Sequence, residues 1–188
     1  MTEAAIFTAL PTLETSRLIL RPFVLADVSD VFAFASDPAV SRLTTWSSPK
    51  VPGDSKAFIE SLIEKSLSNE PVPWGIVLKE TQHLIGAIGF DAWDVGHSRG
   101  EFGYSLSRQY WGRGLASEAA KTVVQFGFEA MGLYRIEAKC MAENLASERV
   151  MQKAGLTFEG LLRGYWTKHG TYRDVKLYSI LRSCHSGH

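Results

Sequence analysis

A glycine-rich turn between a strand and a helix constrains the fold of this 188-residue chain more than any other stretch. Residues 109–116 form the turn, residues 100–106 ahead of it have a strand pattern, and residues 115–131 behind it have a helical one. The first turn of a helix leaves backbone N–H groups unpaired, and the positive end of the helix dipole lies beside them. Gly112 and Gly114 have no side chains, so an anion can approach the backbone closely. The stretch therefore predicts a phosphate-binding turn.

Taken alone, the turn is compatible with more than one phosphate ligand. Gly112, Gly114 and Glu137, about twenty residues further on, approach the fingerprint of a dinucleotide-binding fold. Ser117 stands where that fingerprint requires Gly or Ala, and residues 107–111 make the approach to the first glycine long. No Gly-Lys-Ser/Thr follows, which excludes a P-loop. A dinucleotide-dependent oxidoreductase therefore stays open at this point.

Composition narrows the class of protein. Twenty basic residues balance twenty acidic ones, so no overall charge attracts nucleic acid or an anionic membrane. No apolar run approaches the ~18 residues that span a bilayer, and the N-terminus lacks the features of a signal peptide. Cys140 and Cys184 make no disulfide framework, and His83, His97 and His169 have no metal-ligand spacing. We expect a cytoplasmic protein with no metal and no nucleic-acid or membrane partner.

The order of the predicted elements indicates one α/β domain around a mixed sheet. Strands are predicted over residues 17–21, 74–79, 84–91, 100–106, 135–141, 161–166 and 172–181. Helices are predicted over residues 27–36, from Asp54 or Ser55 to about 67, over 115–131, and from an Asn144 cap to Gly155. We expect residues 1–12 to be a loose N-terminal lead-in, residues 13–182 to be the domain and residues 183–188 to be a disordered tail.

Four motifs occur along the chain in an order typical of one enzyme family. They are Gln109-x-x-Gly112-x-Gly114, residues 144–160 with Asn-Leu-Ala-Ser and Phe-Glu-Gly, residues 13–22 with Arg-Leu-Ile-Leu-Arg-Pro, and residues 172–178. Together they resemble the GNAT superfamily of acetyl-CoA-dependent N-acetyltransferases in its ribosomal-protein (RimJ/RimL-like) branch, over residues 13–181. The resemblance implies a single-domain fold with a mostly antiparallel sheet and flanking helices. It also implies that acetyl-CoA lies where the strands before and after the signature helix splay apart.

The resemblance assigns cofactor-binding roles to single residues. Backbone amides of the turn are expected to hold the CoA pyrophosphate, and Asn144, besides capping a helix, to meet the pantetheine arm. The predicted cofactor-binding residues are Leu106, Ser107, Gln109, Gly112, Arg113, Gly114, Leu115, Ala116 and Asn144. A valine at Gly114 is expected to abolish cofactor binding in a folded protein if the torsions of that glycine are ordinary.

Two side chains are predicted to be catalytic. Glu101 lies on the strand expected to line the acetyl site, where part of the superfamily has its general base. An ammonium near pKa 10 must lose a proton before it attacks, so a base or a water relay is required. Ser147 stands where the ribosomal-protein branch has a serine near the CoA sulfur, and Met151 replaces the tyrosine of many other members. Ser147 is therefore the predicted proton donor to the leaving thiolate. A later glutamate used by some ribosomal-protein acetyltransferases has no counterpart near Trp166.

These predictions combine into one reaction. The chain is expected to transfer an acetyl group from acetyl-CoA to a primary amine, on a protein N-terminus or a small molecule, by direct attack. A backbone N–H within residues 105–107 is expected to stabilise the oxyanion. A non-catalytic acyl-CoA-binding module is the alternative if Glu101 and Ser147 are inert. The sequence carries no code for the acceptor, and a homodimer is compatible with it.

Overall fold

The computed structural model describes residues 6–185, which are arranged around one eight-stranded sheet. The strands are β1 (Leu13–Glu14), β2 (Leu18–Arg21), β3 (Trp74–Leu78), β4 (Leu84–Asp94), β5 (Arg99–Leu106), β6 (Arg135–Met141), β7 (Thr157–Lys168) and β8 (Thr171–Leu181). Their order in the sheet is β1-β2-β3-β4-β5-β6-β8-β7. Only β5 and β6 run parallel, because a helix crosses over between them, while the other neighbours are antiparallel. The predicted mixed, mostly antiparallel sheet is confirmed.

Helices flank this sheet. They are α1 (Val28–Ala35), α2 (Pro38–Ser41), α3 (Pro52–Leu67), α4 (Leu115–Glu129), α5 (Leu145–Lys153) and α6 (Arg182–His185), with 3-10 turns at Leu25–Asp27 and Arg108–Tyr110. None of the helices in the described part of the chain is long and apolar enough to cross a membrane.

The apolar face of the crossover helix α4 packs against the sheet and fixes the position of the helix. Phe126 packs edge-on against Trp74 of β3, with ring centroids 5.1 Å apart. At Gly127 a Cβ atom would lie 2.7 Å from the ring of Phe90, so only glycine allows the helix to approach β4 this closely. Burying a side chain the size of phenylalanine contributes about 1.5–3 kcal/mol, which makes this contact a main anchor of α4. The helix therefore presents its first turn to the sheet in a fixed position.

Several element boundaries differ from the predicted ones. The second long helix begins at Pro52, not at Asp54 or Ser55, because proline occupies the first turn and the Asp54 carboxylate accepts from the backbone N–H of Lys50 and Val51. A short helix, α2, begins at Pro38, where the sequence predicted only a helix end; Asp37 caps it through the N–H of Ala39.

The ends of the chain are more ordered than the predicted lead-in and tail. Within the lead-in predicted over residues 1–12, Ile6, Phe7 and Leu10 are buried in the core. Within the disordered tail predicted over residues 183–188, residues up to 185 belong to α6. Residues 1–5 and 186–188 lie outside the described part of the chain. Apolar side chains that precede the first predicted strand therefore form part of the core.

The hairpin of β7 and β8 is tied to the loop after α2 by a buried lysine. The tip turns through His169 and Gly170, both with positive φ, as two-residue hairpin turns require. The ammonium of Lys168 donates to the carbonyls of Ser41, Thr44 and Trp46 at 2.8, 2.8 and 2.6 Å. Burial lowers the pKa of Lys168, so three acceptors are needed to hold its charge away from water. This contact joins the hairpin tip to the loop that follows α2.

Candidate active site

The strands β5 and β6 separate part of the way along their length. They pair from Arg99 with Arg135 to Glu101 with Glu137, and no pairing continues beyond Glu101. The N–H of Ser107 donates to the carbonyl of Ile85 in β4, so alternation along β5 directs the backbone N–H groups of Tyr104 and Leu106 away from β4. Those groups face the gap. The predicted splay is confirmed, and it leaves a strand edge available to a ligand's amide groups.

The glycine-rich turn lies at the open end of this gap. Gly112 and Gly114 adopt φ values of +75° and +79°, and Gly114 is the N-cap of α4. The first backbone bond of the helix runs from the N–H of Glu118 to the carbonyl of Gly114. Within residues 6–185, the backbone N–H groups of residues 112–117 donate to no acceptor. Six consecutive free donors at a helix N-terminus make a cradle for an anion.

The left-handed torsion of Gly114 corrects one expectation. We expected its torsions to be ordinary enough for valine, but φ is +79°. Side chains other than glycine cost about 1–2 kcal/mol in this region, so a valine at Gly114 changes folding as well as binding. The two effects have to be separated by a control with the same torsion.

The other predicted cofactor residues surround the turn. Leu106 and Leu115 are buried, Ala116 is half-buried, and Ser107 and Gln109 line an open groove of about 530 Å³. The guanidinium of Arg113 lies over the ring of Tyr110, 5.4 Å from its centroid, and remains exposed. The structure therefore brings these residues together at one end of the gap, with one cation beside the free N–H groups.

Two contacts from outside the turn hold its shape. The indole N–H of Trp111 donates to the carbonyl of Leu106 at 2.7 Å, which ties the turn to the end of β5. Arg17, in the turn between β1 and β2, donates to the carbonyl of Arg113 at 3.0 Å and forms an ion pair with Glu118 at 2.6 Å. The sequence signal for Arg17 was its place in the opening motif, although we had assigned it no role at this site.

Glu118 is expected to make the turn sensitive to acid. Partial burial alone would raise the pKa of Glu118. Hydrogen bonds from Thr15, Arg17 and Ser16 have the larger combined effect and lower the pKa to about 2. Because the folded pKa lies below the ordinary 4.5, this stabilisation is complete above pH 4.5 and is lost as pH falls toward 2. Glu118→Gln should lower the free energy of unfolding at pH 7 by about 2 kcal/mol. Urea unfolding at pH 7 and pH 3 measures this difference, which should shrink at pH 3.

The control for this prediction lies at the other end of α4. Among residues 6–185, Glu129 accepts only from the side chain of Gln125, at 3.0 Å, and it is exposed. Glu129→Gln should change stability by no more than about 0.5 kcal/mol. Equal stability of the Glu118→Gln and Glu129→Gln proteins at pH 7 would show that Glu118 does not hold the turn.

Ser147 and Asn144 lie on one side of the sheet, at the start of α5. The Asn144 side chain accepts from the N–H of Ser147 at 3.1 Å, so the predicted cap is confirmed. The hydroxyl of Tyr104, on β5, donates to the Ser147 oxygen at 2.8 Å across the gap. Burial raises the pKa of Tyr104, which keeps its hydroxyl protonated, and the Ser147 hydroxyl also lies in hydrogen-bonding contact with the thiol of Cys140. Met151 is fully buried in the core.

Glu101 lies on the other side of the sheet. Side chains alternate along a strand, so Glu101 and Gly103 point away from the side to which Tyr104 points. Glu101 forms an ion pair with Lys139 of β6 at 2.5 Å, and the Lys139 ammonium also lies 5.2 Å from the ring centroid of Tyr165. A cleft of about 340 Å³ opens here. Its lining includes Asp94, Arg99, Glu101, Glu137, Lys139 and Tyr165.

The structure therefore separates the two predicted catalytic residues. Ser147 and Glu101 stand on opposite sides of the gap, so a group held in the gap can be reached from both sides. Glu137, which had suggested a dinucleotide fingerprint, accepts from Arg135 at 2.7 Å within the cleft. Sequence reasoning missed Tyr104, whose hydroxyl reaches Ser147, and Asp91, whose carboxylate lies above Gly103.

The sheet thus has one parallel strand pair, which splays beside a helix N-terminus with free amides. Residues 17–157 match the family described as "Acetyltransferase (GNAT) domain". The chain is 37% identical over 172 residues to "Uncharacterized N-acetyltransferase YoaA" of Bacillus subtilis (strain 168), covering 92% of this chain and 97% of the relative. A GNAT-family acetyltransferase structure from Bacillus anthracis superimposes with a TM-score of 0.83 at 28% identity, covering 92% of this chain and 99% of that one.

The chain belongs to the GNAT family of N-acetyltransferases. A second relative, "Uncharacterized N-acetyltransferase p20" of Bacillus licheniformis, is 35% identical over 176 residues, 94% of this chain and 99% of the relative. The chain is thus an N-acetyltransferase, and the oxidoreductase and non-catalytic alternatives are set aside.

Proposed function

We propose that this enzyme transfers an acetyl group from acetyl-CoA to a primary amine by direct attack of the amine on the thioester. The observation that carries the proposal is the run of free N–H groups at residues 112–117 beside the open edge of β5. The N–H cradle suits a pyrophosphate, and the strand edge suits the two amides of pantetheine. Two structures of similar fold contain such a ligand and support this choice: the self-immunity acetyltransferase MccE in complex with acetyl-CoA and AMP, and the acetyltransferase RimL in complex with coenzyme A.

The cofactor would be held by residues along one line from the turn into the gap. Arg113 and the amides at 112–117 would bind the pyrophosphate, with Gln109 and Ser107 at the side of the groove. The backbone of Leu106 and the side chain of Asn144 would meet the pantetheine arm. The N–H of Ser107 donates to Ile85, and by alternation along β5 the N–H of Ser105 also points to β4, so the N–H of Leu106 is the proposed oxyanion donor.

The two sides of the gap would divide the proton transfers. The acceptor would enter on the Glu101 side, where Glu101, directly or through water, takes a proton from the ammonium. The thiolate would leave toward Ser147, whose hydroxyl hydrogen would turn from the Cys140 thiol to the leaving sulfur while its oxygen accepts from Tyr104. Thus a base and an acid flank the thioester without neutralising each other.

The acceptor is proposed to be a primary amine of a protein N-terminus or a small molecule. A spermidine N(1)-acetyltransferase of Escherichia coli is 35% identical over 79 residues, 42% of each chain. A ribosomal-protein-serine acetyltransferase of Escherichia coli is 30% identical over 104 residues, 55% of this chain. Both act on amines by name, and the choice between such acceptors stays a prediction for a screen. The cytoplasmic location, the homodimer and the lack of a metal, nucleic-acid or membrane partner also stay predictions.

Ligand-dependent melting tests the proposal. Acetyl-CoA and CoA at about 100 times their dissociation constants should stabilise the protein by about 2.7 kcal/mol and raise the melting temperature, whereas NAD should not. Thiol release with acetyl-CoA and a panel of polyamines, amino acids, aminoglycosides and peptides then identifies the acceptor. A shift with NAD and none with CoA would refute the proposal, and a CoA shift without thiol release for any amine would limit it to binding.

A further inference from the structure

Asp91 occupies an irregular position in β4. The register of β4 with β5 shifts between Phe90, which faces Phe102, and Ala92, which faces Glu101. Asp91 is the extra residue of this β-bulge. A bulge redirects a side chain that regular pairing would hold in place, and bulges are frequent beside active sites.

The Asp91 carboxylate lies above Gly103, where the gap between β5 and β6 opens. A Cβ atom at Gly103 would be 2.3 Å from Asp91 Oδ2, so any side chain there would displace the carboxylate. The pairing of β5 with β6 ends at Glu101, two residues before Gly103. Asp91 is exposed, and its carboxylate accepts no hydrogen bond from residues 6–185. A free carboxylate thus faces the start of the gap.

Within the described part of the chain, the carboxylates around Asp91 are each paired with a cation, whereas Asp91 is not. Glu101 is held by Lys139, Asp94 by His97 and Arg99, and Glu137 by Arg135. Asp91 alone among the carboxylates on this side of the site has no cation in contact within the described residues. Although Asp91 is exposed as a residue, its carboxylate lies against Gly103 and is partly withdrawn from water. This partial withdrawal from water, with the charge of Glu101, raises the pKa of Asp91 to about 6.

We propose that Asp91 is a further catalytic residue, which accepts the proton of the acceptor ammonium as the partner of Glu101 in a carboxylate pair. The inference rests on the proposed acetyl transfer and adds the group that holds the proton. When one of two neighbouring carboxylates is tied to a lysine, a proton that the pair removes from the ammonium, directly or through the paired member, rests on the unpaired one. An acceptor of this kind near pH 6 suits general-base work at neutral pH.

The ammonium gives one proton to Asp91, and the neutral amine nitrogen forms a bond to the thioester carbonyl carbon. The carbon–sulfur bond then breaks, and the amide nitrogen loses its second proton. One proton ends on the thiolate, which becomes the thiol of CoA, and the other is released from Asp91 to water.

Asp91→Asn tests the assignment, with Asp30→Asn as its control. Asp30 lies near the opposite end of β4, where it accepts from the N–H of Leu84 at 2.9 Å, outside the site. The measurement is kcat against pH from 5 to 9, with acetyl-CoA and the best acceptor of the amine panel. Wild type and Asp30→Asn should show a rise in rate through about pH 6. Asp91→Asn should lose this rise and fall by ~10²-fold or more at pH 7.

Two further measurements separate the possible failures. The melting shift with CoA should be unchanged in Asp91→Asn. Asp91→Ser should show the same loss of rate as Asp91→Asn, because both variants lack the carboxylate and only Asp91→Asn introduces an amide group. Asp91→Asn with a rate within about threefold of wild type and the rise near pH 6 intact would overturn the role of Asp91. A wild type that neither binds CoA nor releases thiol would instead overturn the proposed acetyl transfer.

Discussion

Replacing Gly112 with valine is expected to remove CoA binding, whereas replacing Gly132 with valine leaves it intact. Both glycines have left-handed torsions, with φ of +75° and +71°, and neither has an atom within 4 Å of the place where a Cβ would be. They lie beyond opposite ends of α4, the first beside the free N–H groups and the second past the C-terminus. Valine at either site should therefore cost a similar ~1–2 kcal/mol of stability. Only at Gly112 does the added side chain enter the space proposed for the pyrophosphate.

The expected loss at Gly112 is large because hydrogen bonds to a charged group are strong. Each contributes about 1.5–3 kcal/mol, so losing two should raise the dissociation constant of CoA by ~10²-fold or more. Titration calorimetry with CoA on the folded variants measures it, and urea unfolding confirms that both lost similar stability. CoA binding by Gly112→Val as tight as by Gly132→Val would move the pyrophosphate away from this turn.

The local features of the site could be predicted from the sequence wherever one residue type determines the backbone conformation. Asn144 caps α5 and Gly155, with φ of +91°, follows its end, both as predicted. The hairpin turn before Gly170 and the helix beginning at Leu115 were predictable for the same reason. In each case the cause lies within a few residues of the effect, in a missing side chain or a local hydrogen bond.

Features that depend on strand register were not predictable. The bulge at Asp91 is visible only when β4 is paired with β5, because the extra residue is defined by its partner strand. The Lys168 contact joins residues more than 120 positions apart in the sequence, and no local pattern marks it. The ion pair of Arg17 with Glu118 also depends on the packing of β2 beside α4. The sequence therefore indicated which strands carry the site but not which side chains meet there.

The placement of the charged groups explains how one small site can serve two opposite proton transfers. The carboxylates Asp91 and Glu101 lie on the side where the acceptor would enter, and the hydroxyls of Tyr104 and Ser147 lie on the other. The gap between β5 and β6 separates them, so a thioester in the gap would meet a proton acceptor on one side and a donor on the other. A base and an acid in direct contact would instead exchange the proton with each other.

Glu101→Gln is expected to lower kcat at neutral pH by ~10²–10⁴-fold, the usual contribution of general-base assistance. Glutamine keeps the shape of the side chain and can still accept from Lys139, but it cannot take a proton. If Asp91 and Glu101 act as one unit, Asp91→Asn/Glu101→Gln should be about as slow as either single variant, because residues that act together have non-additive effects. The rise in rate near pH 6 should move to lower pH in Glu101→Gln, since the neighbouring charge that helps to raise the pKa of Asp91 is gone.

The dependence on pH and a matched control make this result specific to the base. The loss in Glu101→Gln should shrink as pH rises toward the pKa of the acceptor ammonium, near 10, because the free amine then needs no base. The control is Glu159→Gln, since Glu159 is also a strand carboxylate held by a cation, Arg135 at 2.5 Å, but lies outside the cleft. It should stay within about threefold of wild type, and the CoA melting shift should be unchanged in both variants. A rate for Glu101→Gln within the same threefold across the whole pH range would remove Glu101 from the mechanism, and Asp91 would then be left as the only carboxylate base proposed for this site.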